Sequence, residues 1–187
     1  MDKIKIGKNT LFPSPVTLIG TKSLEGKINA AAFAWTSIIN SEPPMIGVAV
    51  RKSRLTHEII METNVFSVNI PSSKIVKETD YCGIVSGREA DKINECKFNI
   101  FYGDLEYAPL IKECPLNMEC MVKQIVKLPS HDFFIAEIIE VHIDRQLYES
   151  NEIQYENIDT FVYLRKCYKK TEKNLGIPYK IGSNLRG

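Results

Sequence analysis

The chain has 187 residues, the length of one domain, and a chain of this size can bury about 70% of its unfolded surface without a metal or disulfide. Hydrophobic residues make up 44% and charged residues 25%, the balance of an ordinary soluble globular protein. The 24 basic and 23 acidic side chains leave a formal charge of +1, which argues against a general nucleic-acid binder because counterion displacement needs a basic excess.

No run approaches the roughly 18 apolar residues of a membrane span. The start, MDKIKIGKNT, carries lysines with no apolar run behind them, so no signal peptide and a cytoplasmic address are expected. The cysteines (Cys82, Cys96, Cys114, Cys120 and Cys167) are odd in number, irregular in spacing and form no C-x-x-C. Reduced, mostly buried thiols and no metal site are the expectation.

In chain order, residues 15–20 are compact and β-branched and read as a strand, followed by a turn or hairpin loop with Gly26 near its end. The run Asn29-Ala-Ala-Ala-Phe-Ala-Trp35 has alanines that favour a helix by propensity. The Glu42-Pro43-Pro44 stop leaves little length for one, so it reads as a strand whose small side chains let something approach its backbone. Residues 45–50 are apolar on both faces, as in a central strand. Ser53 reads as the N-cap of a short helix with Leu55 and Ile59 on one stripe. Residues 65–70 form a strand stopped by Pro71, and 72–96 read as mostly helical. There Ser86-Gly-Arg-Glu89 has the pattern of a capping box opening a helix that carries Asp91 and Lys92.

In 116–128, Leu116, Met118, Cys120, Val122, Val126 and Leu128 alternate with Asn117, Glu119, Lys123 and Lys127, the pattern of a long half-buried strand. Pro129-Ser-His-Asp132 makes the turn into a second long strand over 133–143. Two long adjacent strands imply a curled or closed antiparallel sheet. From about 153 the chain is polar with scattered aromatics and ends in a glycine-marked tail. The sum is a mainly β single domain, a barrel with a few short helices.

Common catalytic signatures are missing. The chain has no G-x-G-x-x-G, no phosphate loop of the NTPase kind, no G-x-S-x-G elbow and no H-E-x-x-H. One local feature stands out: Arg51-Lys-Ser-Arg-Leu-Thr56 sits where a strand ends and a helix begins. Backbone N–H groups at a helix start favour an anion, and Arg51, Lys52 and Arg54 add charge while Ser53 and Thr56 add hydroxyls. A solvated, capped turn is the plain alternative. Beside the alanine-rich strand and the lone Trp35, a small phosphorylated aromatic ligand also fits.

Taken together, Pro15-Val-Thr-Leu, Asn29 to Trp35, Glu42-Pro-Pro-Met, Arg51 to Thr56, Phe66 to Pro71, Tyr81-Cys-Gly-Ile-Val-Ser-Gly87, Asp91-Lys92, Glu113-Cys114, Glu119-Cys120 and Ser130-His-Asp132 resemble the flavin reductase-like, FMN-binding split-barrel family, flavoredoxin type. The match runs over roughly residues 10–145. The resemblance implies a split β-barrel homodimer with FMN as cofactor. It implies that Asn29 and Trp35 contact the flavin, with Thr36 and Ser37 beside the ring through their backbone. Arg51, Ser53 and Thr56 would take the phosphate and Lys92 a charge-assisted contact. Cys82, Gly83, Ser86 and Gly87 match a loop near the cofactor.

His131 matches a histidine on the substrate side of the flavin. His57 reads as a surface residue, and His142 lies on the polar side of its strand. Cys82 reads as a packed residue, not a nucleophile. The segment Tyr163-Leu-Arg-Lys-Cys-Tyr168 departs from the family, where many relatives carry a Gly-Gly pair before an aromatic. Leu164 stands where a hydrophobic cover over the ring is expected. The implied activity is an FMN-dependent oxidoreductase passing electrons from NAD(P)H or a redox-protein donor to an acceptor. The alternatives are a non-enzymatic FMN electron carrier and a split-barrel module for another ligand. Neither a nucleic acid nor a membrane is an expected partner.

Overall fold

Strands dominate the computed structural model, which describes residues 2–8 and 12–182. They are β1 (Ser14–Pro15), β2 (Thr17–Lys22), β3 (Ile28–Phe33), β4 (Thr36–Ser41) and β5 (Pro44–Arg51), then helix α1 (Leu55–Thr63) and β6 (Val65–Ile70). Helices α2 (Val76–Ile84) and α3 (Lys92–Glu95) follow, then the short β7 (Ile100–Phe101) and β8 (Leu110–Ile111) and the long pair β9 (Leu116–Lys127) and β10 (His131–Ile143). The chain continues through β11 (Tyr148–Glu149), β12 (Glu152–Ile153), β13 (Phe161–Tyr163) and β14 (Tyr168–Lys170).

Seven of these strands form one antiparallel sheet in the order β3-β2-β6-β9-β10-β5-β4. Its two edge strands, β3 and β4, are consecutive in sequence and joined only by Ala34 and Trp35, so the sheet must roll until its edges meet. They meet at Thr17, whose Oγ1 lies 3.0 Å from Thr36 Oγ1 and donates to the Phe33 carbonyl at 3.1 Å. Irregularities between Ile135 and Ala136 and between Ile138 and Glu140 locally disturb the β9–β10 ladder, the kind of feature that bends a strand. The edges do not pair along their length, and the result is a split barrel. The fold is thus mainly β with a few short helices.

Two cores hold it. Inside the roll, Ile19, Ile46, Val48, Val50, Ile60, Phe66, Val68, Cys120, Phe134 and Ala136 pack together. Outside, Leu18, Ala30, Cys82, Phe98, Ile111 and Cys114 form a second layer under α2 and α3. What approaches the small residues of β3 is therefore α2: Ala32 lies 3.5 Å from where a Cβ on Gly83 would stand.

Several local expectations are corrected. Residues 45–50 form a strand paired on both sides, with β10 and with β4, and β4, which the sequence reading passes over, is the edge itself. Ser53 does not cap α1; the N-cap is Arg54, and no side chain bonds the helix start. Ser86 to Glu89 is a turn, with Glu89 and Ala90 N–H both donating to the Ser86 carbonyl, and Asp91 caps α3 by accepting from Asn94 N–H. The stretch 72–96 is correspondingly two short helices separated by that turn.

The alternation in β9 holds from Leu116 to Val122 and then shifts by one residue at the bulge opposite Ile135 and Ala136, so that Ile125 and not Val126 packs on the core and Leu128 is exposed. Before the bulge, the polar face is not solvated. Asn117 and Glu119 are buried under the excursion that carries β7 and β8. Asn117 Nδ2 donates to the Ile111 carbonyl at 2.9 Å, and Glu119 accepts from the Asp104 and Leu105 N–H groups. In the stretch from about 153, residues 161–170 fold back: β13 pairs with β1 and β14, and Phe161 is buried. Of the glycine-marked tail, residues 183–187 lie outside the described residues.

Candidate functional site

The end of β5, the start of α1, the edge strand β3 and the α2–α3 connection converge on one cleft of about 280 Å³. Its walls bring together Asn29, Trp35, Arg51, Ser53, Thr56, Cys82, Gly83, Ser86, Gly87, Lys92 and His131, all singled out in the sequence. Thr36 and Ser37 face elsewhere: they line an apolar hollow with Phe12, Ile38 and Phe133 on the other side of Trp35. Leu164 lines neither. Its neighbours Tyr163, Arg165, Lys166 and Cys167 border a hollow of about 490 Å³ that shares Ala32, Phe33, Ala34 and Gly83 with the cleft.

At the cationic end, α1 presents the N–H groups of Leu55 and Thr56, which have no intrahelical acceptors, while the His57 N–H donates to the Arg54 carbonyl at 3.0 Å. Arg51, Ser53 and Arg54 stand around them. Thr56, at 1% exposure, accepts from Asn29 Nδ2 at 3.1 Å, which leaves its own hydroxyl proton to donate. Asn29 is 2% exposed and its Oδ1 is buried with no hydrogen-bond partner.

Across from Asn29, Lys92 is buried at 3% exposure and not on the surface, and its Nζ donates to the Cys82 carbonyl at 3.3 Å. Burial pulls the Lys92 ammonium below the ordinary lysine range; the Cys82 thiol works against this and Arg54 adds to it. A lone buried ammonium with an orphaned amide oxygen nearby is an incomplete polar site. A Cβ at Gly87 would collide with Asn29 Oδ1, so glycine there keeps this corner open.

The other end is aromatic. Trp35 keeps 46% of its surface exposed, and its ring lies 4.7 Å from that of His131 at 44°. His131 is buried and held by a 2.8 Å contact between Nδ1 and Ser130 Oγ. Burial and then Arg51, its cross-strand partner, depress its pKa, so the imidazole is neutral at pH 7. The Cys82 thiol is pushed up to about 12, first by burial and then by Cys96, and it stays protonated and inert at neutral pH.

Two supports were misread or missed in the sequence. His57 is not a surface residue: its Nε2 lies 2.8 Å from Asp132 Oδ2 and its ring packs edge-on against Phe134. Lys52 reaches the same carboxylate, with its Nζ 3.4 Å from Oδ1. His57 and Lys52 thereby tie the α1 turn to the start of β10. Arg88, inside the supposed capping box, donates to the Ser53 carbonyl at 3.0 Å and pairs with Glu58 at 2.8 Å. A basic residue in a glycine-bearing turn was the available signal.

A rolled sheet that brings a cationic helix start and a half-exposed tryptophan into one cleft at its edge defines a split-barrel protein. The family follows from comparison. The flavin reductase-like domain family matches residues 9–172, and the chain belongs to it. Flavoredoxin from Methanosarcina acetivorans is 41% identical, with a TM-score of 0.92 over 99% of this chain and 100% of that one. Flavoredoxin of Desulfovibrio vulgaris (Miyazaki F) is 28% identical, with a TM-score of 0.90 over 97% and 100%. A protein of Archaeoglobus fulgidus is 31% identical over 115 residues, 62% of this chain. The chain spans 65% of that protein and 51% of a relative from Aeropyrum pernix, so it covers about half to two thirds of these curated relatives.

Proposed function

We propose that the chain binds FMN in this cleft and acts as an FMN-dependent oxidoreductase, taking electrons from NAD(P)H or a redox-protein donor and passing them to an acceptor. The observation that carries this reading is the incomplete polar site: buried Lys92 and the orphaned Asn29 Oδ1 beside a helix start flanked by Arg51, Ser53 and Arg54. A phosphate and a hydrogen-bonding ring edge are the groups that would complete it.

In this reading Arg51, Ser53, Thr56 and the α1 N–H groups hold the phosphate. Lys92 and Asn29 bond polar atoms of the ligand. Trp35 packs along the ring, and Cys82 and Gly83 back it. Among the described residues the edge strand β3 pairs only with β2, and an edge strand leaves alternate backbone groups unpaired. Thr36 and Ser37 act through their backbone from the far side of Trp35, and Leu164 covers the ring from the 163–168 turn, whose other residues border the neighbouring hollow.

Bound flavin supplies a two-electron centre that accepts a hydride or single electrons. The chain's part is to bind, orient and exclude water. Neutral His131 places an uncharged imidazole on the substrate side, beside Trp35. Association as a homodimer belongs to this reading and is supported by Trp35, Ile38 and Ile39, exposed apolar side chains at and beside β4. Five free thiols support a cytoplasmic location. No helix among the described residues is long and apolar enough to cross a membrane.

The likeness to two flavoredoxins favours a second reading, an FMN electron carrier that serves a partner protein. Steady-state NAD(P)H oxidation separates the two, since a rate no higher than the uncatalysed background favours the carrier. Titrating FMN fluorescence with wild-type protein and with Thr56→Ala tests the site itself. Saturation at one FMN per chain, weakened in the variant, is expected. Equal affinity of the two proteins would remove the phosphate assignment.

A further inference from the structure

The outer face of the long β9–β10 ladder carries a group of side chains that the cleft does not use. Glu119 and Glu140 are directly opposed across the ladder, and His142 lies two residues beyond Glu140 on the same face. Directly opposed like charges destabilise a sheet, and Glu119 is fully buried. Its Oε2 accepts from Asp104 N–H at 2.8 Å and its Oε1 from Leu105 N–H at 2.9 Å, yet each carboxylate oxygen has a further lone pair to offer. A cation is what this pair of carboxylates lacks.

His142 stands where that cation would be held. Its Nε2 is a buried atom with no hydrogen-bond partner, 3.3 Å from Glu140 Oε2 and 3.8 Å from Glu119 Oε2. The Phe101 ring meets the imidazole edge-on, at 5.5 Å and 90°, and fixes its plane. One ligand atom from each of the three residues lies within 4.8 Å of the others. Tetrahedral metal–ligand bonds of about 2.0–2.1 Å separate ligand atoms by roughly 3.3–3.4 Å, close to the His142–Glu140 spacing. A Cβ at Gly103 would collide with both Glu119 Oε2 and His142 Nε2, so the glycine backbone closes down directly on the group.

We propose that Glu119, Glu140 and His142 bind a divalent transition ion of the zinc class, with the fourth position left to water. Three nitrogen and oxygen ligands with one open position suit such an ion. Its place gives it a structural role. Glu119 already ties residues 104 and 105 to β9, and the ion pins the excursion of β7 and β8 onto the sheet. Glu140 lies nine residues along β10 from His131, roughly 30 Å at the usual strand rise, so the site is independent of the cleft.

Titration of the whole chain with Co²⁺, followed by visible absorption, tests this. One equivalent is expected to bind with the intense bands of a four-coordinate ion, and Zn²⁺ is expected to displace it. His142→Gln and Glu140→Gln should each lower the affinity at least tenfold. Far-UV circular dichroism checks that both variants fold, and Glu140 is exposed enough to be replaced without disturbing the core. Zn²⁺ should raise the thermal midpoint of the wild type and not of His142→Gln. Three results would overturn the proposal: no saturable binding up to millimolar metal, equal binding by both variants, or a sulfur-to-metal charge-transfer band placing the ion on thiols.

Discussion

Lys92 sets the fold against the site, and replacing it by Met separates the two. In the free protein the ammonium is buried with one carbonyl for company, and burial lowers its pKa. A lysine with a depressed folded pKa binds fewer protons folded than unfolded across the window between that value and 10.5. Stability from this group therefore rises with pH through that window, and the penalty is complete below it. Lys92→Met removes the penalty and loses the bond to the Cys82 carbonyl, worth about 0.5–1.5 kcal/mol.

The free variant should thus gain on the wild type most at neutral pH, by a few degrees in thermal midpoint, and the gain should shrink toward pH 10. FMN binding should move the other way. A charge-assisted bond of about 1.5–3 kcal/mol is lost, so affinity falls roughly 10- to 150-fold and its dependence on salt weakens. The assays are thermal unfolding against pH without ligand and flavin fluorescence titration at two ionic strengths. A midpoint difference that does not change with pH would refute the reasoning about the buried charge. Unchanged FMN affinity would refute the role of Lys92 in the cleft.

Other substitutions probe the remaining walls. Thr56→Ala should weaken FMN binding by about 1.5–3 kcal/mol through the lost hydroxyl donor, measured by the same titration. Gly87→Ala should cost about 1–3 kcal/mol of stability, read from urea unfolding, because the new Cβ collides with Asn29 Oδ1 and approaches Leu55. The Asp132 carboxyl is held below its usual range, first by the hydrogen bond from His57 and also by Lys52. Its stabilisation is present above the unfolded value of 3.8 and fades as pH falls through the folded one. Asp132→Asn should therefore unfold earlier than the wild type at pH 7, with the gap closing in acid. Among the thiols, exposed Cys167 should react first with a disulfide reagent while Cys82, Cys114 and Cys120 stay protected in the native protein. Equal rates for all would contradict the burial described.

Much of the fold was legible because its strands follow simple periods. Residues 65–70 and the long pair over 116–143 have the alternation and turn residues that define them, and the alanines of β3 yield to the Pro43-Pro44 stop. What periodicity could not show was where polar residues go. Asn117 and Glu119 look solvated by alternation and are buried because a distant excursion lands on them. His57 looks exposed because its partner, Asp132, is 75 residues away. The caps failed for a related reason. Ser53 and Ser86 sit in cap-like sequences, but the chain turns at Arg54 and Asp91 instead, leaving Ser53 and Ser86 on the cleft wall.

The grouping of the cleft residues was partly legible. Residue types alone left the Arg51 to Thr56 turn between a solvated capped turn and an anion site, and the resemblance to a family added Asn29, Lys92 and His131 from far along the chain, which line the same cleft. Thr36, Ser37 and Leu164 show the limit of that transfer. A motif carries a side chain's identity, but the facing of an edge strand and the path of the 163–168 turn depend on the whole roll of the sheet.

The central claim is that this cleft holds FMN. The absorption spectrum of the purified chain from about 300 to 550 nm tests it most directly, since flavin absorbs there and side chains do not. The account predicts two oxidised-flavin bands, present on purification or acquired by incubation with FMN, and close to one FMN per chain released on heating. A spectrum that stays featureless after incubation with excess FMN would contradict it.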